Sequence, residues 1–346
     1  MARPTSPALD KQPAKANPPD PAPNSGNVNF RKLSSTATSV VMSRAVLLGY
    51  VALLIYFAVR IPDTFLTTDS LRNILDQSAV PLILAVGLTF VLAAGEFDLS
   101  YTAVVGFSSA AAIVLMTKQG FGPLLACLLT LAVALIVGLI VGIFVTATTA
   151  SSFIVTLALG SVLTGLELAM TDNKTIYEGI PSAYPELARY SFLTFRLPVW
   201  IALAVLLVGL VIMHKSRFGR HVNAVGGNTA AAYFAGVPVR RVRIVVFIII
   251  GVLSGLVALI LTSRSASYYP SAATGQLLNT YAAAFLGASV MRRGGFSIIG
   301  STLGVLWIVT LQVGLTLMNE PAWLTNLIQG IVLAAAVLLA TRGKAK

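Results

Sequence analysis

The chain has 346 residues, 56% hydrophobic and 10% charged, against a charged share of about 25% in soluble domains. That composition excludes an ordinary soluble enzyme and implies an all-α integral membrane protein. The formal charge of +12 does not point to nucleic acid, because Lys and Arg gather at the ends of apolar runs and form no continuous basic face.

Met1 to Ser43 holds seven of the sixteen prolines and too little apolar surface to fold, so residues 1–43 are expected to be a disordered cytoplasmic tail. The first apolar run begins near Ala45, too far from the start for a signal peptide. Residues 44–342 read as the transmembrane domain and 343–346 as a short cytoplasmic tail. Ten apolar segments are predicted to form helices across a bilayer, at about 20 residues each. They lie near 45–60, 79–95, 101–117, 121–148, 152–171, 194–213, 244–263, 277–292, 295–318 and 322–341. The fourth is long enough to be tilted or broken, and the third and eighth are short enough to be re-entrant.

Ten spans starting inside return the C-terminus to the inside. On that topology 17 Lys and Arg lie on the cytoplasmic side and seven outside, as the positive-inside rule requires. The longest outside loop, Thr171 to Arg196, balances three acids with three bases. It is long enough to fold over the outer mouth and meet a soluble partner, and a plain solvated loop fits equally.

At the end of the second span, in LAAGEFDLSYTAVVG, Gly95 frees the backbone and Asp98 or Ser100 can cap the next helix. Glu96 and Asp98 stand at a span boundary, where a carboxylate must be hydrated, capped or paired. A capped turn and a cation or proton site are both open. Glu167, Asn279, Gln312 and Gln329 are polar groups within apolar spans and candidates for lining a path, with local interhelical hydrogen bonds as the alternative. GxxxG pairs at Gly138/Gly142, Gly251/Gly255 and Gly300/Gly304 imply close helix packing, within the subunit or across a dimer.

The basic loop 214–243 carries six Lys or Arg and no acid. Within it Asn228 can cap a helix over Thr229 to Ala235, Gly236 suits its end and Pro238 stops it. So short a helix is marginal alone, so neighbouring loops or a partner protein meeting Tyr233 and Phe234 must hold it. A phosphate-binding GxxxxGK[ST] loop, a nucleophile elbow and a His-Glu-x-x-His pair are absent from the sequence. Cys127 is the one cysteine, and with only His214 and His221 beside it a Cys/His metal site has too few ligands.

Three stretches together, GEFDLS at 95–100, GGNTAAAYFAGVPVRRVR at 226–243 and AAAFLGASV followed by GGFSIIGSTLG within 282–304, resemble the family of ribose-type (monosaccharide) ABC transporter permeases. Ser151 to Thr171 is similar to that family's fifth-span region. The resemblance covers nearly all the chain after about Val40. It implies the membrane subunit of a bacterial inner-membrane importer for a sugar or sugar-like solute, with nucleosides or branched-chain amino acids as alternative cargo. It also implies a separate ATP-binding subunit that holds ATP and Mg, an extracytoplasmic solute-binding protein, and a second permease copy or a related permease; this chain itself would carry no cofactor. The loop helix is similar to the coupling helix that sits in a cleft of the ATPase, a role that falls on Asn228, Ala231, Ala232 and Gly236. Gly95, Asp98 and Ser100 correspond to the family's span-junction motif. The chain departs from the family pattern at Ala230 and Tyr233, where an acid and a base are common, and at Ala94, where a glycine is common. If specificity rests mostly with the binding protein, the permease path needs no rich polar pocket. The competing class is a secondary carrier using Glu96, Asp98 or Glu167 as ion-coupled groups.

Overall fold

The computed structural model describes residues 46–290 and 295–342. The expected tails 1–43 and 343–346 lie outside the described residues.

Backbone polar groups cannot stay unpaired in lipid, so an apolar chain of this kind closes its hydrogen bonds inside helices. All ten predicted segments do so. They form α1 (Val46–Arg60), α3 (Thr68–Ala93), α4 (Tyr101–Thr117), α5 (Pro123–Ala147), α6 (Ser152–Thr171), α8 (Leu197–Lys215), α11 (Val239–Ser265), α12 (Gln276–Val290), α13 (Ile298–Leu317) and α14 (Ala322–Arg342). Between them lie α2 (Pro62–Phe65), α7 (Ala183–Arg189), α9 (Arg217–Gly227), α10 (Thr229–Phe234) and one hairpin, β1 (Ser191–Phe192) with β2 (Phe195–Arg196). Among the described residues, six helices are long and apolar enough to cross a membrane: α3, α5, α6, α8, α11 and α13. Of the two segments expected to be short, α4 has 17 residues and α12 has 15.

The second segment starts earlier than expected. The Thr67 side chain accepts from Ser70 N at 3.1 Å and caps α3 there, so about three polar turns precede its apolar part. The fourth segment, expected to be tilted or broken, is one continuous helix of 25 residues opened by Pro123, a residue suited to the first helical turn because its missing N–H has no partner there anyway.

α11 runs through the middle of the bundle and packs along α5, α4 and α3, while α13 packs against α12 and α3. The glycine pairs make these approaches close within the subunit. Gly138 lies against Phe247 and Gly251, Gly287 against Gly300, and Gly304 against Ala283, backbone to backbone. The opposite faces of α5, α6 and α8 leave Leu124, Ile154 and Val211 exposed, an apolar outer surface that suits lipid. The loop 171–196 is ordered. The Tyr184 hydroxyl bonds Thr262 Oγ1 at 2.6 Å, Ser263 Oγ donates to the Tyr184 carbonyl at 2.7 Å, and Ile176 pairs with Tyr268.

Candidate functional site

Three polar assemblies break the apolar bundle. The first is the loop helix α10. Asn228 is its N-cap, its side chain accepting from Ala231 N at 2.9 Å, and Gly236 ends it at φ +80°. The structure ends α10 at Phe234, with Ala235 as its C-cap. Only Ala232 is buried, while Tyr233 and Phe234 are exposed, Phe234 at 86%. Preceding α10 is α9, a helix not among the predicted elements although its Ser216 cap and amphipathic pattern are local. Its N-cap Ser216 accepts from Gly219 N at 3.0 Å, and its Gly226 touches the Ala93 carbonyl so closely that no Cβ would fit. Neighbouring segments therefore hold one side of α10 and leave the two aromatics of the other side free.

The second assembly is the junction of α3 and α4. Gly95 turns the chain at φ +82°, and Phe97 to Ser100 then run non-helical along the first turns of α6. Such backbone is tolerated at depth only where protein satisfies it, and here each N–H has a partner. Phe97 N donates to Ser152 Oγ at 2.9 Å, Leu99 N to Thr156 Oγ1 at 3.0 Å, Asp98 N to the Tyr281 hydroxyl at 3.1 Å and Ser100 N to Asp98 Oδ1 at 2.7 Å. The Tyr281 hydroxyl returns a bond to the Asp98 carbonyl at 2.7 Å. Asp98, not Ser100, does the capping, and it also accepts from Ser100 Oγ at 2.6 Å. Glu96 is buried against Arg243 at 2.7 Å. Both carboxylates are thus paired or capped, as the structural alternative required. Ser152, Thr156 and Tyr281 were not legible as partners, since they lie 55 or more residues away.

The third assembly lies at the opposite end of the bundle from α10, where α3, α12 and α14 begin and α11 and α13 end. Two adjoining cavities, of about 160 and 780 Å3, share Gln77, Asn279 and Gln312 in their walls. Gln276 and Arg264 line the smaller, and Asn326 and Gln329 the larger. Asp76 is held by Arg264 at 3.0 Å and Arg196 at 3.3 Å beside it. This corrects the expectation of a path without a polar pocket. The amides are spread over four helices, one each on α3 and α13 and two each on α12 and α14, and only packing brings them together.

Glu167 does not belong with them. It is buried between α4, α6 and the link before α12, where its Oε1 accepts from the Tyr268 hydroxyl at 2.9 Å and Ser271 N at 3.2 Å. It lines a separate cavity of about 350 Å3 with Gly106 and Thr164. Its side chain faces α4, whereas Asn279 and Gln312 face α3 and each other's helices, so polar residues at comparable positions in different spans need not share a path. Among the described residues no group of three His, Cys, Asp or Glu side chains could hold a metal.

An apolar helical bundle with a capped loop helix at one end and an amide-lined cavity at the other defines a multi-pass membrane protein. Residues 70–337 match the family model described as the permease component of branched-chain amino acid transport systems. The chain is 36% identical to the ribose import permease protein of Bacillus subtilis, over 84% of this chain and 90% of that one. It is 31% identical to the L-arabinose ABC transporter permease protein of Azospirillum brasilense, over 85% and 86%, and 29% identical to the D-allose transport system permease protein of Escherichia coli, over 80% and 85%. No solved structure matches. The chain belongs to the ABC importer permease family, in its ribose-type branch.

Proposed function

We propose that this chain is the membrane-embedded subunit of an ATP-driven importer that moves a sugar or sugar-like solute across the bacterial inner membrane by alternating access. The observation that carries the reading is α10, a capped six-residue helix whose Tyr233 and Phe234 face away from the bundle. A helix so short needs support, and an apolar exposed face on a basic loop suits a partner protein. That partner is a separate ATP-binding subunit, which holds ATP and Mg and supplies the hydrolysis. Its ATP-dependent closure pushes on Asn228, Ala231, Ala232 and Gly236, and it binds the two conformations of the permease unequally, as a ligand-driven change requires.

The topology we assign has ten spans and cytoplasmic termini. It is supported by the charge bias of 17 Lys and Arg inside against seven outside and by the coincidence of each predicted segment with a helix. An extracytoplasmic solute-binding protein delivers cargo to the end that carries the folded 171–196 loop, and two permease subunits, identical or related, complete the channel. The sugar assignment follows the three relatives named above; the family description names amino acids, which makes L-leucine the cargo to test against.

The deciding experiment is affinity purification of the chain co-expressed with its genomic neighbours. An ATP-binding protein should co-purify, and Gly236→Pro should release it, since proline cannot adopt the positive φ of that turn. Vesicle uptake by this chain alone, insensitive to Gly236→Pro, would overturn the reading in favour of an ion-coupled carrier.

A further inference from the structure

The amide-lined cavity gathers several polar side chains that the bundle does not bond. Asn279, Gln312, Gln276 and Asn326 make no side-chain hydrogen bond among the described residues. Gln329 Nε2 and Arg264 Nε are buried without a partner. Asn279, Gln312 and Gln276 are half-buried and Asn326 is exposed, so the cavity leaves their amides open, and polar groups inside a membrane protein that lack internal partners are candidates for function. An amide offers two donors and an acceptor with two lone pairs, which matches a hydroxyl, itself donor and acceptor. The larger cavity falls in the range of about 300–1,000 Å3 usual for small-molecule sites.

Charge narrows the class. A zwitterionic amino acid needs a free cation for its carboxylate. The cation among the described lining residues is Arg264, and its Nη2 is held by the Asp76 side chain and carbonyl at 3.0 and 3.1 Å; the other charged lining residue is Glu320, an acid that cannot receive a carboxylate.

We propose that these cavities are a solute-reading site in the permease itself, in which Asn279 and Gln312, shared by both compartments, hydrogen-bond an uncharged polyhydroxylated solute and disfavour amino acids. The inference rests on the importer reading above and adds to it a selectivity step beyond the solute-binding protein. Sites that hydrogen-bond substrate hydroxyls discriminate strongly against ligands that leave those groups unpaired.

The test has a part that needs no partner. Thr316 lines the larger cavity, so Thr316→Cys in a Cys127→Ser chain is labelled with a neutral maleimide in membrane vesicles, with D-ribose, L-arabinose, D-allose or L-leucine present at millimolar concentration. At least one sugar should slow labelling threefold or more while L-leucine leaves it unchanged. In the second part, the importer with its partners is reconstituted in proteoliposomes. Asn279→Leu and Gln312→Leu should each lower uptake of that sugar at least tenfold, and Gln312→Asn should recover part of it. Size-exclusion profiles that match the unmodified chain show that the variants fold. Absence of protection by every sugar, or protection by L-leucine, overturns the site. So does full uptake by Gln312→Leu; if Gly236→Pro still abolishes that uptake, the ATP-driven reading survives without the site. Uptake that needs no ATP overturns the importer reading instead.

Discussion

The junction of α3 and α4 and the amide-lined cavity are both polar and both set among apolar helices, yet they are built oppositely. At the junction each donor from Phe97 to Ser100 has an acceptor, and Glu96 has Arg243. In the cavity Asn279 and Gln312 have no protein partner among the described residues. A satisfied network fixes one geometry, because breaking any bond strands its partner in a medium of low dielectric. Unsatisfied amides fix nothing and stay available to a solute. The junction is therefore a brace between the loop 214–243 and the bundle, and the cavity is the place proposed to receive the solute.

The sharpest way to break this contrast is Arg243→Ala. Removing one partner of a buried ion pair leaves an uncompensated charge and costs about 3–5 kcal/mol. The low end, about 3 kcal/mol, is expected because the Arg243 side chain is 30% exposed. The midpoint of thermal unfolding of the purified chain in detergent should fall clearly, and Arg243→Met combined with Glu96→Leu should regain most of the loss. An unchanged midpoint for Arg243→Ala would mean that the pair braces nothing.

A smaller effect is expected from Thr156→Val, which keeps the side-chain volume and removes the acceptor of Leu99 N. Stranding a buried N–H costs about 1–3 kcal/mol, while interhelical hydrogen bonds in membrane proteins average about 0.6, so a loss near 1 kcal/mol is anticipated. Faster hydrogen exchange at Leu99 in the variant would locate the effect at the junction, and exchange equal to that of the unmodified chain would remove Thr156 from the brace.

These two regions were unequally legible in the sequence. The cap of α10 and the turn at Gly95 could be read because their determinants lie within a few neighbouring residues: Asn228 with Ala231, Gly236 with Pro238, Gly95 before a capping Asp98. Apolar length likewise announced the ten segments. The partners of the junction could not be read, since Ser152, Thr156 and Tyr281 come from other helices and look like ordinary polar residues in apolar runs. The cavity was half visible. Asn279, Gln312 and Gln329 stood out as polar groups in apolar spans, but Gln77 sits in the polar turns of α3 ahead of the apolar stretch. Depth in the apolar spans groups Glu167 with the amides, but depth carries no information about the direction a side chain faces around the helix.

The weakest effect on stability should come from Gln312→Leu, and its weakness is what makes it informative. Leucine has nearly the volume of glutamine and brings no polar atoms. If the Gln312 amide were a structural group, its loss would strand a donor or acceptor elsewhere and lower stability, as Thr156→Val does. With no described partner to strand, the substitution removes only a group that itself lacks a bond, and such replacements are close to neutral or stabilising. A shift within about 0.5 kcal/mol, the range of substitutions away from special features, is expected in the same detergent unfolding measurement. A loss as large as that of Thr156→Val would place Gln312 in the bundle's own hydrogen-bond network and make the two polar regions alike.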